Sequence, residues 1–254
     1  MRRIDLNCDC GEGFGPYRAG NDAAMLEIVT SANVACGFHG GDPEIMAQTF
    51  KMAKARGVVV GAHPGFPDLW GFGRRRLPFS PGEIERIVAY QTGAAAALAA
   101  YCGTRLAYVK AHGALSNIAM EEEAVANAVA RAVKAAGPDL AFLAPAGTKL
   151  EAAGLAQGLP VAREIYADRA YTESGLLADR SFHGAVLHDP EEIAGRVLAM
   201  ILEGAIITAS GARLAVSIDS VCVHGDTPEA VKIARAVRAR LEEAGMTLAP
   251  FVRA

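Results

Sequence analysis

The chain of 254 residues has no long apolar run and no cluster of basic residues. Its longest apolar stretches, at positions 92–100 and 197–209, are short or are interrupted by charge and glycine, so no membrane span is predicted. Lysine and arginine number 25 against 28 acidic residues, which gives a net charge of −3. Nucleic acid is therefore not expected as a partner, because neutralised phosphates supply most of that affinity.

The sequence also lacks a disulfide framework and an export signal. There are five cysteines, an odd number, spread over the chain as Cys8, Cys10, Cys36, Cys102 and Cys222. Such usage suits a reducing compartment. Because no apolar signal core precedes the first acid, Asp5, a cytoplasmic location is expected. The phosphate-binding sequence G-x-x-x-x-G-K-[ST] is absent, so any nucleotide is expected to use another kind of loop.

What is present is a regular alternation of short β-branched runs with longer runs at helical spacing. Strands are predicted at residues 3–8, 32–36, 58–62, 106–110, 140–144, 161–166 and 214–223. Helices are predicted at residues 22–30, 43–56, 81–101, 121–136, 190–202 and 228–244, several of them with a capping residue before a proline. About seven such units predict an α/β fold with a parallel barrel or a long open sheet. No linker divides the chain, so residues 1–254 are expected to form a single domain.

Four histidines directly follow predicted strands and precede a glycine or proline. They are His39, His63, His112 and His224. All strand C-termini of a parallel barrel open onto one face, so these side chains should converge there. A single histidine in such a loop is ordinarily a hydrogen-bonded turn residue, but four repeats of the placement favour a functional site. The segments after His39 and His224 also repeat a glycine turn and a proline-started helix, which either bind an anion or form ordinary helix caps.

Polar residues also gather on the first strand. Asp5, Asn7 and Asp9 alternate and therefore point to one side, toward the barrel interior, while the cysteines between them share the other side. Burying three polar groups is costly unless they are hydrogen-bonded, bound to a ligand or hydrated. The segment is therefore either part of a site that includes Glu12 or a polar network that braces the barrel mouth.

For the basic residues the sequence leaves two roles open. Lys110 ends a strand two residues before His112, and it either holds an oxyanion or stands solvated at the strand end. Arg74 and Arg75 lie in a long loop that either clamps a carboxylate or phosphate or forms surface salt bridges.

Histidines and carboxylates at a barrel mouth can bind a divalent ion. No close pair of the H-x-x-x-H type is present, so the spacing supports a metal only weakly.

Taken together, the motifs resemble those of the LamB/YcsF family. They read DLNCDCGEGFG at 5–15, ANVACGFHGGDP at 32–43, GAHPGFPDL at 61–69, GFGRR at 71–75, VKAHGAL at 109–115, ADRAY at 167–171 and VHGDTP at 223–228, with Glu164 among them. These blocks run from near residue 4 to near residue 230, which is essentially the whole chain. The chain departs from the family's usual residues at Ala111 and Ser116, beside Lys110 and His112.

The resemblance implies a distorted parallel (β/α) barrel similar to the glycoside hydrolase/deacetylase class. It also implies ATP-dependent opening of 5-oxo-L-proline to L-glutamate, with ATP and its Mg²⁺ counter-ion as cofactor. Two partner subunits, usually called B and C, are expected to take part. Which subunit holds ATP, and whether the chain forms a homo-oligomer, stay open.

For this chemistry we expect two sets of residues. The catalytic set is Asp5, Asn7, Asp9, Glu12, His39, His63, Lys110, His112, Asp219 and His224. The substrate-binding or phosphate-binding set is Gly40, Gly41, Asp42, Arg74, Arg75, Glu164, Gly225 and Asp226. In this hypothesis Lys110, His112 and the glycine turns hold the anionic oxygen or phosphate, while Asp9 or Glu12 is the general base.

Two other functions fit the same residues. One is a metal-dependent deacylase that acts alone on a sugar or an amide, and bound zinc or manganese would favour it. The other is a non-catalytic subunit that presents 5-oxoproline to a partner enzyme. The density of ionisable residues at the strand ends argues against a pure carrier.

Overall fold

The computed structural model describes residues 2–225 and 229–252. Its strands are β1 (Arg3–Cys10), β2 (Ser31–Ala35), β3 (Val59–His63), β4 (Leu106–Val109), β5 (Ala141–Pro145), β6 (Val161–Tyr166), β7 (Ala205–Ile207), β8 (Arg213–Ala215), β9 (Ser220–Val223) and β10 (Thr247–Leu248). Its helices are α1 (Asp22–Met25), α2 (Pro43–Ala55), α3 (Pro81–Tyr101), α4 (Gly113–Glu121), α5 (Glu123–Ala136), α6 (Lys149–Ala156), α7 (Pro190–Glu203) and α8 (Ala230–Glu243).

Seven parallel strands close into a barrel in the order β1-β2-β3-β4-β5-β6-β9, because β9 also pairs with β1. In that closing pair Asp5 lies opposite Ser220. The short strand β10 extends the sheet beside the beginning of β1, where Arg3 lies opposite Thr247. The predicted parallel barrel of about seven strands is confirmed, and the open-sheet alternative is wrong.

The helix starts show why the chain turns where it does. The side chain of Asp42 accepts hydrogen bonds from the backbone N–H groups of Glu44 and Ile45 at the beginning of α2. Ser80 and Glu83 form a reciprocal capping box at the beginning of α3. Each cap satisfies donors that the first turn of a helix leaves unpaired, and a proline follows it at the first helical position.

Several predicted elements have different bounds. The strand predicted at 214–223 is two strands, since β8 pairs antiparallel with β7 outside the barrel and the barrel strand begins only at Ser220. Helices α4 and α6 were not predicted, and the helix predicted at 22–30 is helical only over Asp22–Met25. The predicted start of the last helix, at 228, lies outside the described residues.

The apolar core has two parts. The larger part lies between the barrel and the surrounding helices and includes Leu6, Val34, Phe50 and Val129. A smaller cluster fills the N-terminal half of the barrel, where Tyr108 packs against residues such as Leu143 and against Phe251. Gly61 makes room for Tyr108, because a Cβ at position 61 would lie 2.3 Å from the tyrosine ring. None of the described helices has both the length and the apolar content needed to cross a membrane.

Candidate active site

A cavity of about 470 Å³ opens at the C-terminal ends of the barrel strands. This volume is typical of sites for small molecules. Strand ends and the loops that follow them supply its polar wall, which includes Asp9, His63, Arg74, Lys110, His112, Ser116, Tyr166, Arg169, Arg180 and His224. The predicted convergence of strand-end side chains therefore produces a cavity of the right size for a metabolite.

Lys110 is the central cation of the cavity floor. Its Nζ donates to Asp9 Oδ1 at 3.1 Å and lies 3.1 Å from Glu164 Oε2. Asn7 completes the group, since its Oδ1 accepts from Asn33 at 2.7 Å and lies 3.4 Å from the same Nζ. All of these side chains are buried, so each charge depends on the others for compensation.

The charges in this group are strongly shifted. Burial opposes ionisation of Asp9, but the positive charge of Lys110, with His63, holds the pKa of Asp9 well below its usual range. Burial likewise opposes the charged form of Lys110, yet Asp9 holds the pKa of Lys110 well above its usual range. Burial raises the pKa of Glu164, although Lys110 opposes that shift. Asp9 is therefore a stable carboxylate and Lys110 a stable ammonium.

Three histidines and Glu12 form a compact cluster beside this group. His63 Nε2 lies 3.1 Å from His112 Nδ1, and Glu12 Oε1 lies 3.5 Å from the same His112 atom. His39 Nε2 lies 3.3 Å from Glu12 Oε1, and its ring stacks on that of His112 with the centroids 3.6 Å apart. Burial, followed by neighbouring histidines, holds the pKa of His39 and of His112 well below the usual value. We call Glu12, His39, His63 and His112 the histidine cluster.

The fourth strand-end histidine has a different environment. His224 Nδ1 lies 2.7 Å from Asp168 Oδ1, and both side chains are largely buried. Burial opposes ionisation of Asp168, but His224 holds the pKa of Asp168 below its usual value. With Nδ1–H donating to Asp168, Nε2 carries the free lone pair, which is the arrangement of an oriented general base.

Not every predicted residue reaches the cavity. Asp5 and Asp219 lie at the opposite, N-terminal end of the barrel, where both line a second cavity. Arg74 lines the mouth cavity, but Arg75 pairs with Asp68 instead. Asp42 caps α2, as the alternative interpretation of that segment proposed.

The predicted glycines allow close backbone approach. A Cβ at Gly40 would lie 2.6 Å from the carbonyl oxygen of Glu12, and one at Gly225 would lie 2.7 Å from that of Asp9. The N–H of Gly41 donates to the carbonyl of Gly13. These glycines thus seat the two loops against the end of β1. Asp226 lies outside the described residues.

The set predicted from the sequence omitted Asp168, Tyr166, Arg169 and Arg180. Asp168 follows the end of β6 by two residues, the same placement that singled out the histidines, so the strand-end rule applied to acids would have found it. Arg180 had no such signal, because it lies in a long segment without helix or strand and reaches the cavity wall through the tertiary fold.

The match to a family decides the classification. The model of the LamB/YcsF family matches residues 4–254. The chain belongs to the LamB/YcsF family. Among relatives of this LamB/YcsF chain, the 5-oxoprolinase A subunit of Azorhizobium caulinodans is 61% identical over 252 residues, which are 99% of each chain.

Solved structures support the same classification of this LamB/YcsF chain. The lactam utilization protein from Thermus thermophilus has a TM-score of 0.91 and 46% identity, over 98% of this chain and 99% of that one. A polysaccharide deacetylase from Bacillus cereus has a TM-score of 0.50 at 13% identity, over 98% and 91% of the two chains, which is a likeness in fold alone. The predicted deacetylase-like barrel is confirmed.

Proposed function

We propose that this chain is the A subunit of an ATP-dependent 5-oxoprolinase and that its mouth cavity binds 5-oxo-L-proline for ring opening. The observation that carries the proposal is the cavity itself, where a paired His224–Asp168 base faces a floor of fixed charges. The names of full-length relatives, 5-oxoprolinase A subunit and lactam utilization protein, support the substrate class.

The chemistry explains why ATP is required. A five-membered lactam is a stabilised amide, so its carbonyl carbon is a poor electrophile. Transfer of the γ-phosphoryl group of ATP to the lactam oxygen makes this carbon electrophilic. Water then adds to it, the ring C–N bond breaks as the nitrogen takes up a proton, and a second water hydrolyses the remaining acyl phosphate. The products are glutamate, ADP and phosphate.

We assign the proton-accepting role to His224 rather than to Asp9. The pKa of Asp9 is held well below its usual range, so its carboxylate is a weak base. Asp168 fixes the ring of His224 so that Nε2 is the basic nitrogen. Asp9 then serves to hold Lys110 in place, and Lys110 stabilises the developing negative charge on the lactam oxygen.

The arginines of the cavity wall suit the anionic groups of the substrates. Arg74 and Arg180 line the cavity, and the Arg74 guanidinium lies 5.0 Å above the ring of Phe72. A guanidinium group binds carboxylate and phosphate with two parallel hydrogen bonds. We assign them to the carboxylate of 5-oxoproline and to the transferred phosphoryl group.

The name of the relatives, which is that of one subunit, also supports assembly with further chains, the expected B and C subunits. Two large apolar side chains are exposed close in sequence to cavity-lining residues. Trp70 is 98% exposed, four residues before Arg74, and Phe182 is 69% exposed, two residues after Arg180. Exposed aromatic residues of this kind are typical of protein interfaces. We assign this rim to contact with a partner subunit.

The decisive experiment measures glutamate release from 5-oxoproline with ATP and Mg²⁺, for the chain alone and with candidate partner subunits. We expect turnover only in the complete mixture. His224→Gln should lower kcat by about 10² to 10⁴, because the proton acceptor is lost. His188→Gln, in an exposed loop, is the matched control and should retain full turnover.

Two results would contradict the proposal. Absence of turnover in every mixture would remove the 5-oxoprolinase assignment. Full turnover of the His224→Gln variant would remove the assigned base, and if Lys110→Gln were also fully active, the chain would be a substrate-presenting subunit without catalytic residues.

A further inference from the structure

We propose that the histidine cluster of Glu12, His39, His63 and His112 is a binding site for one divalent transition-metal ion. Each of the four residues offers one ligand atom, these atoms all lie within 4.8 Å of one another, and all four residues are buried. The proposal concerns metal binding alone and does not depend on 5-oxoproline as substrate.

Backbone carbonyl groups fix which nitrogens carry hydrogen. His63 Nδ1 lies 2.9 Å from the carbonyl oxygen of Lys110, and His112 Nε2 lies 2.7 Å from that of Phe72. A carbonyl oxygen only accepts, so both of these nitrogens must be donors. In the neutral rings the other two nitrogens, His63 Nε2 and His112 Nδ1, therefore carry bare lone pairs.

These two lone pairs face each other across 3.1 Å. Two acceptors at that separation repel unless a positive centre lies between them. Carboxylate oxygens add to the same negative environment, because Glu12 Oε1 lies 3.5 Å from His112 Nδ1 and Asp9 Oδ2 lies 3.5 Å from His63 Nε2. A cation is the natural complement to such an arrangement.

The distances also have the right scale for shared coordination. Zinc binds imidazole nitrogen and carboxylate oxygen at about 2.0 to 2.2 Å in a tetrahedron, which places neighbouring ligand atoms about 3.3 to 3.6 Å apart. Three of the six separations within the cluster, at 3.1, 3.3 and 3.5 Å, are close to this spacing, and all six are within 4.8 Å. His112 Nδ1 therefore already lies near this spacing from both His63 Nε2 and Glu12 Oε1.

The surroundings of the histidines fit the same role. Histidines that bind metals almost always donate their other N–H to a carbonyl or carboxylate, which fixes the tautomer, and both His63 and His112 do so. Phe72, whose carbonyl holds His112, has φ of 54° and is the one residue other than glycine with positive φ among the described residues. Backbone strain of this kind concentrates at functional sites.

His39 supplies the adjustable fourth ligand. Its Nδ1 is buried without a hydrogen-bond partner among the described residues, so no carbonyl fixes its tautomer. Its ring stacks parallel to that of His112, and it must therefore rotate to direct Nε2 at the shared centre.

The ligand types select the class of metal. Three imidazoles and one carboxylate suit zinc, cobalt, manganese or iron, whereas magnesium and calcium prefer a shell made of oxygen. We therefore expect binding of Zn²⁺ and Co²⁺ and no comparable affinity for Mg²⁺.

The test uses the full-length chain without an affinity tag, stripped with a chelator. Zn²⁺ binding is measured by calorimetry and Co²⁺ binding by its visible absorption, which reports a low-symmetry nitrogen and oxygen shell. We expect one ion per chain. Glu12→Gln and His63→Ala should each weaken the affinity by at least about 100-fold, while His183→Ala, an exposed histidine outside the cluster, should bind as the wild type does.

Circular dichroism of each stripped variant checks the fold. Because Glu12→Gln keeps the shape of the side chain, it decides the question if the histidine variants do not fold. Failure of the wild-type chain to bind either ion would overturn the proposal and leave a shared proton between His63 and His112 as the explanation of their approach. Unchanged binding by a folded Glu12→Gln variant would also overturn it.

Discussion

The two ends of the barrel interior both bury carboxylates, but they compensate them in different ways. At the N-terminal end Asp5 Oδ1 accepts from Thr30 Oγ1 and Ser31 Oγ, each at 2.6 Å, and Oδ2 accepts from Ser220 Oγ. All three donors are neutral hydroxyl groups. Burial, only partly offset by these hydrogen bonds, raises the pKa of Asp5 to about 6.

At the mouth the compensation is ionic and incomplete. Asp9 and Glu164 share one ammonium, that of Lys110. Glu164 Oε1 and His39 Nδ1 are buried without a hydrogen-bond partner among the described residues. Native interiors rarely leave such atoms unpaired. A buried polar group whose hydrogen bonds are all satisfied, such as Asp5, therefore typically supports the fold. The unpaired atoms at the mouth indicate positions where a ligand binds.

The largest loss of stability is expected from removing the shared cation of Lys110. Lys110→Met leaves two buried carboxylates without their counter-charge, which should lower the free energy of unfolding by about 3 to 5 kcal/mol. Urea denaturation measures the loss. Lys51→Met, on the exposed face of α2, is the control and should change stability by less than about 0.5 kcal/mol.

The double variant Lys110→Met/Glu164→Gln sharpens this comparison. It removes one of the two uncompensated carboxylates, so part of the lost stability should return. If the double variant were as unstable as the sum of the two single variants, Lys110 and Glu164 would not compensate each other.

A smaller, pH-dependent change in stability is expected at the N-terminal end of the barrel. The pKa of Asp5 is raised from 3.8 in a model peptide to about 6 by burial. Between these values the unfolded chain releases the proton and the folded chain keeps it, so the contribution of Asp5 to stability falls as pH rises from about 4 to about 6. Below both pKa values the group makes no pH-dependent contribution.

Asp5→Asn removes this titration while keeping the shape of the side chain. The stability of the wild type relative to this variant should therefore fall by about 2 kcal/mol between pH 4 and pH 6. Urea denaturation at a series of pH values measures it, with the exposed Asp139→Asn as control. If the stability difference between the wild type and Asp5→Asn did not change with pH, Asp5 would already be ionised in the folded protein at pH 4.

The comparison also shows how far sequence reasoning reaches. Periodicity predicted the barrel, and the rule that parallel strands end on one face predicted that His39, His63 and His112 meet. That prediction needs only the strand ends, because the barrel geometry supplies the rest. The partner of His224 was not predicted, because the strand-end rule was not applied to the acid after β6, whose pairing with β9 brings Asp168 to His224.

The misplacement of Asp219 has a specific cause. Asp219 lies four residues before Val223, the last residue of the barrel strand, so even a continuous strand at 214–223 would not bring it to the mouth. The chain instead forms β8 outside the barrel with β7, and β9 begins one residue after Asp219. Between β8 and β9 the sequence has the polar residues Ser217 and Asp219 but no glycine or proline, so no turn signal separates the two strands.

The smallest effect on stability and on turnover is therefore expected from Asp219→Asn. Its Oδ2 accepts from the backbone N–H of Arg163 at 2.9 Å and lies 3.5 Å from the Arg163 guanidinium, and its side chain is 41% exposed. An amide keeps the backbone hydrogen bond and loses only an exposed ion pair, which should cost less than about 1 kcal/mol. Turnover in the complete enzyme mixture, measured beside His224→Gln, should equal that of the wild type. A loss of turnover similar to that of His224→Gln would show that the chemistry reaches the N-terminal end, and the functional distinction between the two ends would then be wrong.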